Sequence, residues 1–526
     1  MSGNNDLVEY GFRRAIITIT AILCALLEIV DTTIVNVALN DMKGNLGASL
    51  SEIGWVITAY AIANVIIIPM TSWFSQQFGR RNYFAASILI FTIASFLCGN
   101  ASSIWELVLF RFIQGLGGGA LLVTAQTIIT ESYPQEKRGM AQAIYGMGVI
   151  VGPTLGPPLG GVIVDNYSWP DIFYINIPIG IIAFILTLLY IRSPKYSAKL
   201  KAKEVDWWGI VFLVIGIGFL QFLLEKGQEE DWFNSRLIVY SAVSSFLGFY
   251  FFIWRELTYK HPIVNLRVLG NRELRMGTIL TFILGFGLFG STFVIPLYTQ
   301  SVMGWTATQA GLLLIPSSIA TGMMMPVIGR MLQSGFSQKW LVAAGYFIFF
   351  IYSYVAYTIL TPDTGGEHFF WILIVRGVGL GLLFVPITTY SLMTLHGKQI
   401  GEGAAFTGMA RQLGGSFGIA LITTYITRSQ AQHRADLAAN LSMVDANTQM
   451  RLEGLTSNFI GKGFSPEIAQ QKALKIMDMG ISQQSAVLSY MDVFLGIGVV
   501  FLLCIPFVLL VMRGKKAGAV DMSAVH

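Results

Sequence analysis

Glu28 and Asp31 stand three residues apart in LLEIVDTTIVNVAL (26–39), inside an apolar run, 15–39, long enough to cross a bilayer as a helix. A carboxylate near the centre of a bilayer costs about 2.5–3.5 kcal/mol on insertion scales, so two of them need a reason. At this spacing they share one helical face, and two carboxylates so close in a low dielectric resist double ionisation. A group poised to gain and lose a proton is what a proton-driven carrier requires. The bland alternative is a protonated, hydrogen-bonded packing residue. Arg111, inside another apolar run, cannot shed its proton and needs an anionic or carbonyl partner if buried. Arg376 and Arg411 repeat that situation later in the chain, either as the same device or as interhelical glue.

The elements that must position these charges are membrane helices. Of 526 residues, 54% are hydrophobic and only 12% charged, against about 25% charged in soluble domains. Apolar segments recur near 15–39, 52–73, 82–99, 104–128, 140–163, 171–191, 207–225, 236–254, 276–299, 309–329, 339–360, 369–391, 402–427 and 490–512. The expectation is an all-α polytopic membrane protein with fourteen spans. Cys24, Cys98 and Cys504 lie in apolar spans without metal or redox spacing, and the five histidines form no cluster. The polar N-terminus, MSGNNDLVEYGFRR, has no cleavage signature and reads as a retained cytoplasmic tail.

Lysines and arginines set the orientation. One set of connections holds Arg13, Arg14, Arg80, Arg81, Lys137, Arg138, the basic stretch 192–203, five more cations in 255–275, Arg330, Lys339, Lys398, Arg513, Lys515 and Lys516. The short connections on the other side hold Lys43, Lys226 and Arg236. The basic side is expected to be the cytoplasm, with both termini there. The net charge of +5 is thus topological and gives no reason to invoke nucleic acid.

A repeat lies in the chain. At an offset of 257, Gly47 meets Gly304, Ser49 meets Thr306, Glu52 meets Gln309, Gly54 meets Gly311 and Pro69 meets Pro326. Each copy carries the [ST]-x-x-[EQ] capping pattern before its apolar run. Arg111 in LVLFRFIQGLGGGALL likewise matches Arg376 in LIVRGVGLGLLF. Two parallel six-span bundles, 15–191 and 276–512, are expected around two extra spans in 192–275, with tails at 1–14 and 513–526. Parallel repeats with a midplane site between them are a transporter architecture.

These residues resemble the major facilitator superfamily. Its fourth-span arginine followed by Q-G-x-G stands here as Arg111, Gln114, Gly115 and Gly117. Its antiporter motif stands as GPTLGPPLGG (152–161), with Gly152, Pro153, Gly156 and Pro157. VDTTIVNVAL and FYINIPIG (173–180) are similar to the fourteen-span drug:proton antiporters of the EmrB/QacA type. The whole chain resembles the inner-membrane subunit of Emr-type tripartite multidrug pumps. In the loop after the second span Gly79, Arg80 and Arg81 are kept, but Ser72 and Gln76 replace the usual glycine and aspartate.

The resemblance implies a major facilitator fold, coupling of Arg111 to the proton site, and a 152–161 segment that seals the two halves. It further implies export of lipophilic drugs across the bacterial inner membrane, driven by the proton gradient without a cofactor. The implied partners are a periplasmic membrane-fusion adaptor and an outer-membrane channel. GFGLFG (285–290) and GLGGGA (115–120) fit dinucleotide patterns only by chance, because no strand precedes them, and no P-loop occurs. Asn36, Tyr60, Asn64, Gln126, Tyr298 and Gln300 are candidate substrate contacts, since aromatic and polar groups on spans suit varied apolar cations.

Import of a nutrient by proton symport fits the fold and Asp31 equally, but not GPTLGPPLGG. A membrane-embedded enzyme lacks any metal cluster, nucleophile triad or cofactor loop to support it. Residues 428–489 form an external loop expected to be helical. Ser465-Pro466 starts a helix whose Ala469, Ala473, Ile476 and Met477 share a face, with Gly480 as its stop; Leu437, Leu441 and Val444 keep the same spacing upstream.

Overall fold

A computed structural model describes residues 7–194, 204–362, 364–441 and 445–512. The basic cluster at 195–203, Val444, and Arg513, Lys515 and Lys516 therefore lie outside the described residues. Among the described residues every regular element is helical, and thirteen helices are long and apolar enough to cross a membrane.

The first group comprises α1 (Gly11–Asn45), α2 (Leu50–Phe78), α3 (Arg80–Gly99), α4 (Ile104–Ser132), α5 (Arg138–Asn166), the short α6 (Asp171–Tyr174) and α7 (Asn176–Tyr190). These helices pack on one another around α4, which is buried at nearly every residue from Gly117 to Ser132. A hairpin follows, α8 (Trp207–Lys226) and α9 (Arg236–Thr258). The second group begins with α10 (Arg272–Ser301), α11 (Ala307–Leu312), α12 (Ile315–Gln333), α13 (Gln338–Ile359) and α14 (Gly366–Leu392). It ends with α15 (Lys398–Ala439), α16 (Ala446–Gly461) and α17 (Pro466–Val511). In this group α14 takes the central position, buried continuously from Gly379 to Leu392.

The repeated capping signals form as their spacing predicts. Ser49 and Glu52 close a reciprocal capping box at the start of α2, and Thr306 and Gln309 close its counterpart at the start of α11. Pro69 and Pro326 both sit inside helices.

Several boundaries differ from expectation. The 402–427 segment is not among the thirteen helices, because glycines, Glu402 and Arg411 dilute its hydropathy; it lies within α15, which is 42 residues long. Gly480 does not stop a helix: α17 runs through it for 46 residues, from Pro466 into the final apolar segment. A glycine inside a helix costs only about 1 kcal/mol relative to alanine, less than the packing of the turns around it returns. The 428–489 loop is therefore two outward helical extensions, from α15 and α17, with α16 folded against α17. Ala469 and Ala473 are fully buried there, whereas Ile476 is 40% exposed.

The hairpin bridges the groups. Trp55 on α2 stacks on Phe222 of α8, while Gln221 donates to Ser416 and the Trp232 indole donates to Thr424 on α15. Exposed apolar side chains such as Phe246, Leu247 and Tyr250 on α9 give the molecule an outer surface suited to acyl chains.

Candidate functional site

Asp31 has no solvent exposure and Arg111 has 1%. The Arg111 guanidinium donates to one Asp31 carboxylate oxygen at 2.5 Å, to Gln114 Oε1 at 2.6 Å and to the Val56 carbonyl at 3.3 Å. The other Asp31 oxygen accepts from Gln114 Nε2 at 2.9 Å and from Asn176 Nδ2 at 2.8 Å. Both amides also donate to the Ser95 hydroxyl, at 2.6 and 3.2 Å. The Tyr60 ring covers the guanidinium, 4.1 Å from its centroid. Five helices, α1, α2, α3, α4 and α7, thus converge on one ion pair. Paired and hydrogen-bonded on both oxygens, the charges meet the condition under which ions survive burial.

Glu28, one helical turn earlier, is 5% exposed and accepts from Asn64 at 2.9 Å. A Cβ added at Gly118 would stand 2.6 Å from the Tyr60 hydroxyl and 3.3 Å from Glu28 Cγ, so these groups share one small space. The glycines of α4 bring the helices close enough for this. A Cβ at Gly115 would meet the Tyr60 carbonyl at 2.6 Å, and one at Gly117 would meet Ser87 and Phe91 backbone atoms at 2.8 Å.

Segment 152–161 lies within α5 and divides its faces between two neighbours. Gly152, Gly156 and Gly160, one turn apart, admit α1: a Cβ on them would strike Ile29, Thr33 and Ile34. Pro157 and Gly161 instead meet the second group, at Gly311 and Thr308, and the Thr154 hydroxyl hydrogen-bonds Ser318. At the opposite end of α5, Arg138 donates to the Leu392 and Leu395 carbonyls at 3.2 and 3.0 Å, covering the C-terminus of α14. On the other side of the seam, α2 packs on α15.

The remaining residues singled out in the sequence are distributed as follows. Gly79 has φ of +84°, a backbone suited to glycine, between α2 and α3. Arg80 forms a two-pronged pair with Glu131 of α4, at 2.5 and 3.0 Å, so the first-group cation that remains has an acidic partner despite Gln76. Gln76 itself donates to Ser72 and lines a cavity of about 410 Å³ with Trp73, Lys260, Arg267, Lys398 and Glu402. Arg81 is exposed.

Arg376 donates only to neutral oxygens, those of Ser291, Ser317, Thr292 and Leu288. Arg411 donates to the Tyr145 hydroxyl at 3.2 Å. Of the candidate substrate contacts, Tyr60 and Asn64 adjoin Glu28. Gln126 is held by Gln142 of α5 at 3.1 Å. The Tyr298 hydroxyl is taken by the Thr361 carbonyl at 2.8 Å, and Asn36 and Gln300 are exposed away from this cluster. Ser95, Asn176 and Tyr145 escaped the sequence reading as site residues, although Asn176 sits in the quoted FYINIPIG. A polar residue in a span was the only signal.

A major facilitator superfamily model matches residues 21–419, and the chain belongs to that family. It is a multi-pass membrane transporter, not an enzyme. The chain is 34% identical to the multidrug export protein EmrB of Escherichia coli K12, over 92% of each chain. It is 33% identical to the fatty acid resistance protein FarB of Neisseria gonorrhoeae, over 95% of this chain and 96% of that one. Among solved structures, the proton:xylose symporter XylE superposes with a TM-score of 0.59 at 15% identity, covering 96% of this chain and 97% of that one. That likeness concerns the fold.

Proposed function

We propose that the chain exports varied lipophilic drugs from the bacterial cytoplasm in exchange for protons, using Asp31 as the proton carrier and Arg111 as its counter-charge. The observation that carries this reading is the solvent-free Asp31–Arg111 pair, built from five helices beside a seam of glycines and prolines. An arginine holds the ionised carboxylate, and a proton arriving at Asp31 cancels that attraction and frees Arg111, Gln114 and Asn176 to rearrange. Such a bistable contact is what alternating access needs. Relatives named for multidrug export and fatty acid resistance support a cargo of lipophilic compounds.

We read the architecture as fourteen spans in a 6+2+6 order, with α15 supplying the span that composition underrates. The crossed pairing of α5 with α12 and α2 with α15 supports two repeated bundles related by an axis along the membrane normal. The extra hairpin then lies along the α2–α15 seam. Lysine and arginine distribution supports an inner-membrane orientation with both termini cytoplasmic. On the outer side, Met450, Ile460, Ile468, Leu474 and Met479 leave apolar surface open on helices that extend beyond the bundle, which supports docking of a periplasmic adaptor leading to an outer-membrane channel.

The decisive experiment uses inverted vesicles with an imposed pH gradient. Asp31→Asn is expected to abolish gradient-driven drug movement while the protein still inserts and folds. Undiminished transport by that variant would remove Asp31 from the mechanism.

A further inference from the structure

Of the five buried arginines among the described residues, Arg80 and Arg138 stand at helix starts; the other three lie well inside helices and differ in how they are satisfied. Arg111 holds a carboxylate, and Arg376 is surrounded by four neutral oxygens. Arg411, only 3% exposed, has one hydrogen bond, from Nη2 to Tyr145; its Nη1 is buried with no acceptor among the described residues. Phe384 faces its guanidinium at 5.7 Å and offers only a ring face. An incompletely paired guanidinium in a low dielectric is costly, so its position calls for an anion in some state of the protein.

The carboxylate within electrostatic reach of Arg411 is Glu28, on the other side of the seam. Glu28 accepts from Asn64 at Oε1 and adjoins the Tyr60 hydroxyl, and among the described residues it forms no ion pair. Tyr145 of α5 holds the Arg411 guanidinium at 3.2 Å and lies near enough to Glu28 to feel its charge. Because the Tyr145 oxygen accepts from Arg411, its own proton is free to be donated onward. The titratable and charged groups around Glu28 are Asp31 on its own helix, Tyr60 on α2, Arg111 on α4, Tyr145 on α5 and Arg411 on α15. Arg111 is committed to Asp31, which leaves Arg411 as the cation without a carboxylate.

We infer that Glu28 and Arg411 form a charge pair across the seam, relayed by Tyr145, that is made when Glu28 is ionised and the two groups of helices are apposed. Loss of the charge on Glu28 releases Arg411 and loosens the α15 side of the seam. Asp31 and Arg111 both belong to the first group and cannot report apposition. This second pair does, and Arg411 acts as a positioning residue. The inference rests on the transport reading but on no particular cargo.

The test uses the full-length protein in proteoliposomes, with ethidium as the transport probe. Arg411→Gln is expected to displace the pH profile of ethidium efflux by about 1 pH unit or more, the scale on which an opposite charge at 4–6 Å acts. It should lower the peak rate roughly tenfold. In a Glu28→Gln background the same substitution should add less than about twofold and no displacement, since the partner is already gone. Equal losses in both backgrounds, with unmoved profiles, would reduce Arg411 to packing.

A cargo-free readout separates this from failure of the transport reading. Nitroxide labels at Asn45→Cys and Thr427→Cys, both exposed, should show a distance distribution that changes between pH 5.5 and 8.5 in the parent protein. That response should vanish on Arg411→Gln and on Glu28→Gln. Persistence of the full response in Arg411→Gln would overturn the inference even if ethidium is not carried. Arg411→Lys, which keeps the charge, should keep the response and covers the case in which the glutamine variant fails to fold.

Discussion

Asn176 and Gln114 both donate to the same oxygen of Asp31, and Ser95 accepts from both, so the two amides act as a bracket around the carboxylate. A hydrogen bond to a charged group is worth about 1.5–3 kcal/mol. Asn176→Ala should therefore weaken the bracket by roughly that amount and slow gradient-driven export about tenfold or more. Ser95→Ala, which removes only a neutral acceptor, should cost about 1 kcal/mol. Transport assays across Asp31→Asn, Asn176→Ala and Ser95→Ala should rank in that order, and wild-type rates for Asn176→Ala would show that the bracket is not used. The charged half of this site was legible in the sequence because a carboxylate or guanidinium in an apolar span is expensive. The amide and hydroxyl half was not, because such groups are cheap in spans and their partners lie 81 and 145 residues away.

At the scale of elements, α5 joins the two groups: it meets α1 through its glycine face, α11 through Pro157, α12 through Gly139, Gly146 and Thr154, and the end of α14 through Arg138. A cation covering a partly buried helix C-terminus contributes up to about 2 kcal/mol. Arg138→Gln should shift the equilibrium toward opening that end of the seam. Leu332, 4% exposed and packed near Gly139, is a suitable reporter. A cysteine at Leu332 should react with a membrane-impermeant maleimide about tenfold faster in the Arg138→Gln background, the change that about 1.4 kcal/mol produces. An unchanged rate would mean that the α14 end is no latch. Helix starts were readable where a side chain caps them, as at Ser49 and Thr306. Helix ends were less so: polar residues beyond an apolar window simply continued the helix at both ends of α1 and throughout α15 and α17.

On the scale of the whole molecule, the matched positions Ser49/Thr306 both became capping boxes and Arg111/Arg376 both became buried arginines. What the match did not foretell is that the two arginines stand in different surroundings, one ion-paired and one held by hydroxyls and a carbonyl. The two arginines thus differ in charge environment, which concentrates the proposed proton chemistry on the first group and Arg411. The other asymmetry is the outward extension of α15 and α17. It is a built structure: Arg434 pairs with Asp478 at 2.7 Å, His433 and Ser429 meet Asp492, and Leu452 of α16 is 6% exposed. A structure held together by its own contacts, yet leaving Met450 and Met479 each 62% exposed, has apolar surface to spare for a partner. Replacing 432–486 with a short flexible linker removes that surface while leaving Asp31, Arg111, Glu28 and Arg411 in place. The shortened protein should insert and bind drug as before, but adaptor co-purification should fall at least about tenfold, the loss that 1.4 kcal/mol of interface represents. Drug tolerance of the host should fall with it. If adaptor recovery and tolerance both survive the replacement, the extension serves as a cap for the exit and the docking surface lies elsewhere on the outer face.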